Sequence, residues 1–336
     1  MRRMLALIVL LVAWPATAGE SWTLAVLPDT QLYSASFPEH FAQQTRWLAD
    51  HARELNLRFV AHMGDVTCHN NADEWANARA AMGALDGVAP YGIVLGNHDY
   101  GPDGRSEERT TLASRYFTTW ELLAAPQTGG VMDPTSIENS YHLFEAGGQR
   151  WIVVCLEYAP RTWAVAWANR VLSEHADRRA IVVTHAYLHN SGQRQDITKD
   201  PKQSGNPHRY GFEKLPGGLM DGEQIWNALI RGHANVCLVL SGHIAGVARL
   251  TSTNDAGAPV HQILSDFQAE PEGGNGWLRL LTFAADGQSL QVRTWSPKLG
   301  QGRDNALNAF TLDLSRLAKL PPAPSRRAAR TARSLW

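Results

Sequence analysis

At 336 residues, 44% hydrophobic and 19% charged, the chain has material for a large core and is expected to form one α/β domain. A formal net charge of −1 excludes a bulk field able to hold nucleic acid or an anionic membrane, so no specific nucleic-acid binding is expected and a polyanionic substrate must be held by a local site. Three cysteines, Cys68, Cys155 and Cys237, exclude a disulfide framework; the odd count leaves at least one thiol free or paired with another chain.

The first eighteen residues read as a secretory leader: Arg2 and Arg3, an apolar run from Met4 to Trp14, then Ala16-Thr17-Ala18 as a small-residue cleavage site. The run is shorter than the ~20 residues a spanning helix needs. The expectation is therefore cleavage and a secreted or periplasmic protein with no membrane span afterwards. The expected domain occupies 19–320, and 321–336, Pro-rich and then carrying Arg326, Arg327, Arg330 and Arg333, reads as a basic disordered tail.

From Trp22 to Leu240 short apolar runs alternate with helical periodicity, the pattern of α/β architecture. Five runs predict strands: Trp22 to Leu27, Leu57 to Met63, Tyr91 to Leu95, Ala180 to Val183 and Val236 to Leu240. Between the first two, Phe41, Leu48, Ala52 and Leu55 share one helical face; before the third, Trp75, Ala78, Met82 and Leu85 do the same. Asn71 with Glu74 three residues on resembles a capping box at the start of that second helix. Tyr141 to Phe144 and Trp151 to Leu156 flank Gly147-Gly148 as a β-hairpin does. Two more hairpins follow, Val247 to Thr253 with Val260 to Leu264, and Trp277 to Phe283 with Leu290 to Trp295. A parallel opening with antiparallel additions predicts two mixed sheets packed face to face with helices outside. The stretch 189–219 has no periodicity and is expected to be a functional or mobile loop, and most of the twelve tryptophans are expected in the core.

Each of the five runs ends in polar residues able to bind a metal or act on phosphate: Asp29 with Gln31, Asp65, Asn97 with His98 and Asp99, His185, and His243. Strand carboxyl ends in α/β sheets are where loops converge polar groups on a rigid frame. One such residue is ordinary turn chemistry; five together point to a site. Asp29 and Gln31, two apart, are expected to share one ion. Asp65 is a hard anionic donor able to bridge two, and His185 and His243 bring imidazoles suited to Mn, Fe or Zn. Asn97 and His98 are adjacent and expected to diverge, the amide toward metal and the imidazole toward a bound ester.

The ordered set Pro28-Asp29-Thr30-Gln31, Gly64-Asp65, Gly96-Asn97-His98-Asp99, Thr184-His185 and Gly242-His243 resembles the signature of calcineurin-like metallophosphoesterases, over about Trp22 to Trp295. The resemblance implies an αββα four-layer sandwich, and hydrolysis of a phosphate mono- or diester by a metal-activated hydroxide. It also implies two divalent cations, Mn, Fe or Zn. Position by position, Asp65 resembles the bridging carboxylate, and Asn97, His185 and His243 the remaining ligands of the second ion. His98 resembles the group that stabilises the transition state or protonates the leaving oxygen, with Asp99 expected to orient it.

The first ion's site departs from that pattern. Gln31 stands where the family has His, and Ala245 where a Gly-His-x-His motif places its second His. Three outcomes follow: weak binding of the first ion, replacement of the lost ligand by another residue, with Asp266 and Gln268 as candidates, or work with one occupied site. His62 is expected to pack or support ligands, and His189 and His208 are candidates to line the substrate cleft. The alternative function is a binding protein on the same fold, catalytically weakened by the loss of the two imidazoles.

Overall fold

The computed structural model describes residues 19–322; the leader reading, and all of the tail reading except 321 and 322, lie outside the described residues. In chain order the strands are β1 (Trp22–Leu27), β2 (Leu57–His62), β3 (Tyr91–Ile93), β4 (Thr128–Asp133), β5 (Ser136–Ala146), β6 (Gln149–Leu156), β7 (Arg179–Thr184) and β8 (Val236–Ser241). They continue with β9 (Gly246–Thr253), β10 (Pro259–Asp266), β11 (Leu278–Phe283), β12 (Ser289–Ser296), β13 (Gln301–Arg303) and β14 (Ala309–Asp313). One sheet has the order β13-β12-β11-β1-β2-β3 with β14 also on β12; the other runs β4-β5-β6-β7-β8-β10-β9. The centres are parallel, β1 with β2 and β3 in one sheet and β6, β7, β8 and β10 in the other, and antiparallel strands extend both.

The central strands read as unbroken apolar runs because both their faces are covered. Along β1, Trp22, Leu24 and Val26 enter the core between the sheets, while Ala25 and Leu27 face the helices. Along β6, Trp151, Val153 and Cys155 point between the sheets and Ile152, Val154 and Leu156 outward. Stacking of Trp22 on Phe283 at 4.1 Å, edged by Trp151 at 4.8 Å, ties the sheets together. Helices α1 (Gln31–Ser36), α2 (Pro38–Asp50) and α3 (Ala72–Met82) cover the outer face of the first sheet, and the helix Thr162–Glu174 covers the second. The result is the four-layer αββα sandwich of the sequence reading.

Two local details differ from expectation. Helix α2 stops at Asp50, so Ala52 and Leu55 reach the core from the following turn, which enters β2 through a left-handed Asn56 (φ 44). Asn71 caps α3 by accepting from the Glu74 N–H at 3.0 Å, but Glu74 does not return the bond. Its carboxylate accepts instead from the N–H groups of Cys68 (2.8 Å) and His69 (2.7 Å), holding the segment after Asp65. The Gly147-Gly148 turn is as predicted, with φ of 56 and 71 at its two residues, the twist a two-residue hairpin favours. All three cysteines are free. Among the described residues no helix is long and apolar enough to cross a membrane.

Candidate metal centre

The carboxyl ends of β1, β2, β3, β7 and β8 meet at one end of the sandwich, and the bonds between them set the geometry. From the second sheet, His185 contacts the Met63 carbonyl of the first through Nδ1 at 2.8 Å, and the His243 N–H donates to Asp29 Oδ1 at 2.8 Å. Both Asp65 (φ 47) and His243 (φ 75) hold the left-handed conformation, which non-glycine residues adopt at a cost. The close approach of strand ends leaves no room for side chains between them: a Cβ at Gly96 would overlap the Asp65 carboxylate, and one at Gly242 the Asp29 carboxylate.

The two imidazoles carry the main deduction. A carbonyl only accepts, so His185 must hold its proton on Nδ1, facing Met63, and His243 must hold its proton on Nε2, which donates to the Gly205 carbonyl at 2.7 Å. That leaves His185 Nε2 and His243 Nδ1 facing each other at 3.1 Å. Asn97 Oδ1 lies 3.2 Å and Asp65 Oδ1 3.3 Å from the same His185 nitrogen. Two nitrogen lone pairs and two oxygens pointing at one place need a cation between them, a proton or a metal. The ligand atoms of Asp65, His185 and His243 all lie within 4.8 Å of one another. Titration reflects the same crowding: burial disfavours charge on His185, yet the Asp65 and Asp29 carboxylates outweigh it and push its pKa up to about 10. Burial and the neighbouring His185 push His243 down to about 3. This donor set fits one divalent cation.

The first-ion side also holds buried acceptors. Among the described residues Asp29 Oδ2 and Gln31 Oε1 have no hydrogen-bond partner, although both residues are 2% exposed or less. Gln31 donates to Asp65 Oδ2 at 3.2 Å and to Gln268 Oε1. Burial, then Asp266, raises the Asp29 pKa well above the carboxylate range. Such orphaned oxygens fit a cation better than they fit a closed core.

His98 is half-buried at the start of the loop after β3; its N–H donates to Asp65 Oδ1 at 2.9 Å and its Nδ1 contacts the Cys68 carbonyl at 3.0 Å. The Nδ1 proton is thereby fixed by a carbonyl, and Nε2 remains for chemistry. The expected pairing of Asp99 with His98 is not present. Asp99 is fully buried and accepts from the N–H groups of Val66 (3.0 Å), Thr67 (2.8 Å) and Gly96 (2.8 Å) and from the Thr67 hydroxyl (2.8 Å). It ties the loop carrying Asp65 to the loop carrying Asn97, because unpaired backbone donors in both loops outcompete one imidazole. His62, with Gly64 N–H on its Nδ1 and Thr30 Oγ1 on its Nε2, supports the same loops as expected. His208 does not face the cleft as a free group: Glu213 and Gln224 occupy both its nitrogens at 2.7 Å. His189 bonds Ser191 on an exposed turn.

Sequence reasoning missed three contributors. Tyr158 follows β6, packs its ring 5.7 Å from His185 and 5.5 Å from His243, and keeps a buried hydroxyl without a hydrogen-bond partner among the described residues. Tyr210, from the irregular loop, lies 5.7 Å from His243. The strand-end position of Tyr158 was the available signal. The Gly205 carbonyl left none, since a backbone acceptor has no residue signature.

Fold and donor set together define a class, the metal-dependent phosphoesterases: strand ends of two facing sheets present imidazole and carboxylate donors around one point. Within it the chain belongs to the calcineurin-like phosphoesterase family, whose model matches residues 23–246. The uncharacterized protein YvnB of Bacillus subtilis (strain 168) is 34% identical over 293 residues, 83% of this chain but 20% of YvnB, so the chain spans about a fifth of that relative's length. Among solved structures, the purple acid phosphatase PPD1 from yellow lupin (Lupinus luteus) seeds has a TM-score of 0.53 at 13% identity, over 89% of this chain and 55% of that one. GAP50, the anchor in the inner membrane complex of Plasmodium, has a TM-score of 0.51 at 13% identity, over 94% and 95%. These two likenesses are of fold. The family implies a dinuclear metal centre, and a buried Asp-His cluster is present among the described residues.

Proposed function

We propose that this chain hydrolyses a phosphate ester by attack of water, with Asp65, Asn97, His185 and His243 holding one divalent cation and Asp29, Gln31 and Asp65 contributing to a second. When bound, the cations supply Lewis-acid polarisation of the phosphoryl group and activation of the nucleophile. The chain's own residues do the rest. Carbonyls of Met63 and Gly205 fix both imidazole tautomers, so no reorganisation is needed on binding. As the water oxygen forms its bond to phosphorus, releasing its proton to solvent, and the ester P–O bond breaks, His98 in its imidazolium form would deliver the Nε2 proton to the leaving oxygen, its Nδ1–H held by the Cys68 carbonyl. The N-terminal leader reading would place this activity outside the cytoplasm.

The observation that carries the proposal is the opposed pair of imidazole lone pairs 3.1 Å apart with oxygens of Asp65 and Asn97 beside them. The test is turnover of an aryl phosphate and a bis-aryl phosphate by protein stripped with chelator and reloaded with Mn²⁺, Fe²⁺ or Zn²⁺. Metal-dependent release of the aryl alcohol is expected; a metal-loaded protein inert toward every ester would overturn the proposal.

A further inference from the structure

The position vacated by the missing histidine is not left open. Ala245 precedes Gly246, and Gly246 stands directly opposite Asp266 in the antiparallel register of β9 and β10. Strand β10 lies parallel beside β8, so its carboxyl end emerges next to Gly242-His243 at the same end of the sheet. Asp266 is 1% exposed there. Its two oxygens accept from the Gln268 N–H (2.8 Å) and the Gln268 amide (2.7 Å), and the Gln268 amide oxygen meets the Gln31 amide, which reaches Asp65. A continuous chain of side chains therefore runs Asp65, Gln31, Gln268, Asp266.

We infer that Asp266 closes the first metal site in place of the absent histidine, making it an all-oxygen site of Asp29, Gln31, Asp65 and Asp266 with Gln268 beside it. Two observations beyond the clustering of carboxylates point to a cation. The buried Asp29 Oδ2 and Gln31 Oε1 have no hydrogen-bond partner among the described residues. Further, among the described residues Asp29 and Asp65 form ion pairs only with His185, and Asp266 with no Lys or Arg.

The consequence is a centre with two unlike halves. Imidazole strengthens a site's preference for Zn²⁺, whereas carboxylate and amide oxygens suit Mn²⁺ and Mg²⁺. The second site, with two imidazoles, retains the usual advantage of Zn²⁺ over Mn²⁺, and the first site loses much of it.

This inference rests on the proposed function only in assuming that the second site binds metal, and binding is measured separately from turnover. Chelator-stripped full chain is titrated with Zn²⁺ and Mn²⁺ by calorimetry, with bound metal counted by mass spectrometry. Two equivalents are expected, with the Zn²⁺ to Mn²⁺ affinity ratio at least about tenfold smaller at the first site. Asp266→Asn is expected to weaken the first-site Mn²⁺ by roughly 100-fold and leave the second equivalent in place. Adding Ala245→His to Asp266→Asn is expected to restore two Zn²⁺. A single equivalent in the wild type, equal affinity ratios at the two sites, or Asp266→Asn binding both ions unchanged would each overturn the inference. Should the variant not fold, anomalous diffraction from the wild type loaded with Zn²⁺ and then Mn²⁺ decides: Mn²⁺ within coordination distance of the Asp266 carboxylate supports it, and Mn²⁺ away from Asp266 overturns it. Hydrolysis failing while both ions bind as described would sink the proposed function and spare this inference.

Discussion

The two halves of the proposed metal centre lie at the same end of the sandwich and are built on opposite principles. On the second-ion side, each imidazole is locked by a backbone carbonyl, and the donors arrive from strand ends of both sheets, β2 and β3 from one, β7 and β8 from the other. On the first-ion side the donors are carboxylates and amides, linked to each other and leaving two acceptors unpaired. The difference teaches that a rigid frame can keep one half of a site fixed while the other changes its donor chemistry. The strand ends set positions, and the residue at each position sets which cation is favoured.

Asp65 is proposed to serve both halves, so its loss breaks the comparison most severely. Asp65→Asn removes the shared charge, and with it several kcal/mol of transition-state stabilisation, which corresponds to about a thousandfold or more in kcat/KM. Steady-state hydrolysis with metal counted in parallel checks this; a variant within tenfold of wild type would show that the carboxylate does not join the two ions. His98→Ala tests chemistry without touching either half. Turnover is expected to fall by roughly 10² to 10³ with both metal equivalents retained; the backbone N–H bond to Asp65 survives in alanine, so loss of metal instead would mean that the imidazole ring itself supports the cation sites.

Asp99 sharpens the comparison further, because its carboxylate bonds the loops of both Asp65 and Asn97. Asp99→Asn exchanges an all-acceptor group for one that must also donate, which at least one of its four bonds cannot accommodate. A fall of 10- to 100-fold in metal affinity is expected. Unchanged affinity with a lowered kcat would restore the role of orienting His98 that the sequence pattern implied.

Much of this was legible in the chain. The five apolar runs became β1, β2, β3, β7 and β8, because strands buried on both faces leave continuous apolar runs that few other structures require. The polar residues after those runs converge, since parallel strands in a sheet share a carboxyl end. The Asp99 role was not legible: adjacency to His98 says nothing of which backbone N–H groups lie across the loop at positions 66 and 67. Nor was the Gly205 carbonyl, which enters from 189–219, a segment without periodicity to fix its path. Asp266 was visible only as a possibility, because its nearness to Ala245 depends on the register of β9 against β10, and a hairpin's register is set by its turn geometry as well as its sequence.

The smallest effect separates scaffold from site within one helix start. Asn71 and Glu74 look like reciprocal caps, yet in the structure Asn71 serves helix α3 alone, while Glu74 reaches back to Cys68 and His69, and the Cys68 carbonyl in turn holds His98. Asn71→Ala is therefore expected to cost about 1 kcal/mol of stability, a fall of a few degrees at most in Tm for a domain of this size, with kcat and metal content unchanged. Glu74→Gln keeps the helix capped but gives up a charged acceptor for two N–H groups, so its loss should register in kcat through His98 before it registers in melting. Calorimetric melting and steady-state rates on the two variants check the division. If both variants shifted only Tm, the path from Glu74 through Cys68 to the imidazole would have no functional weight, and His98 would be held by its bond to Asp65 alone.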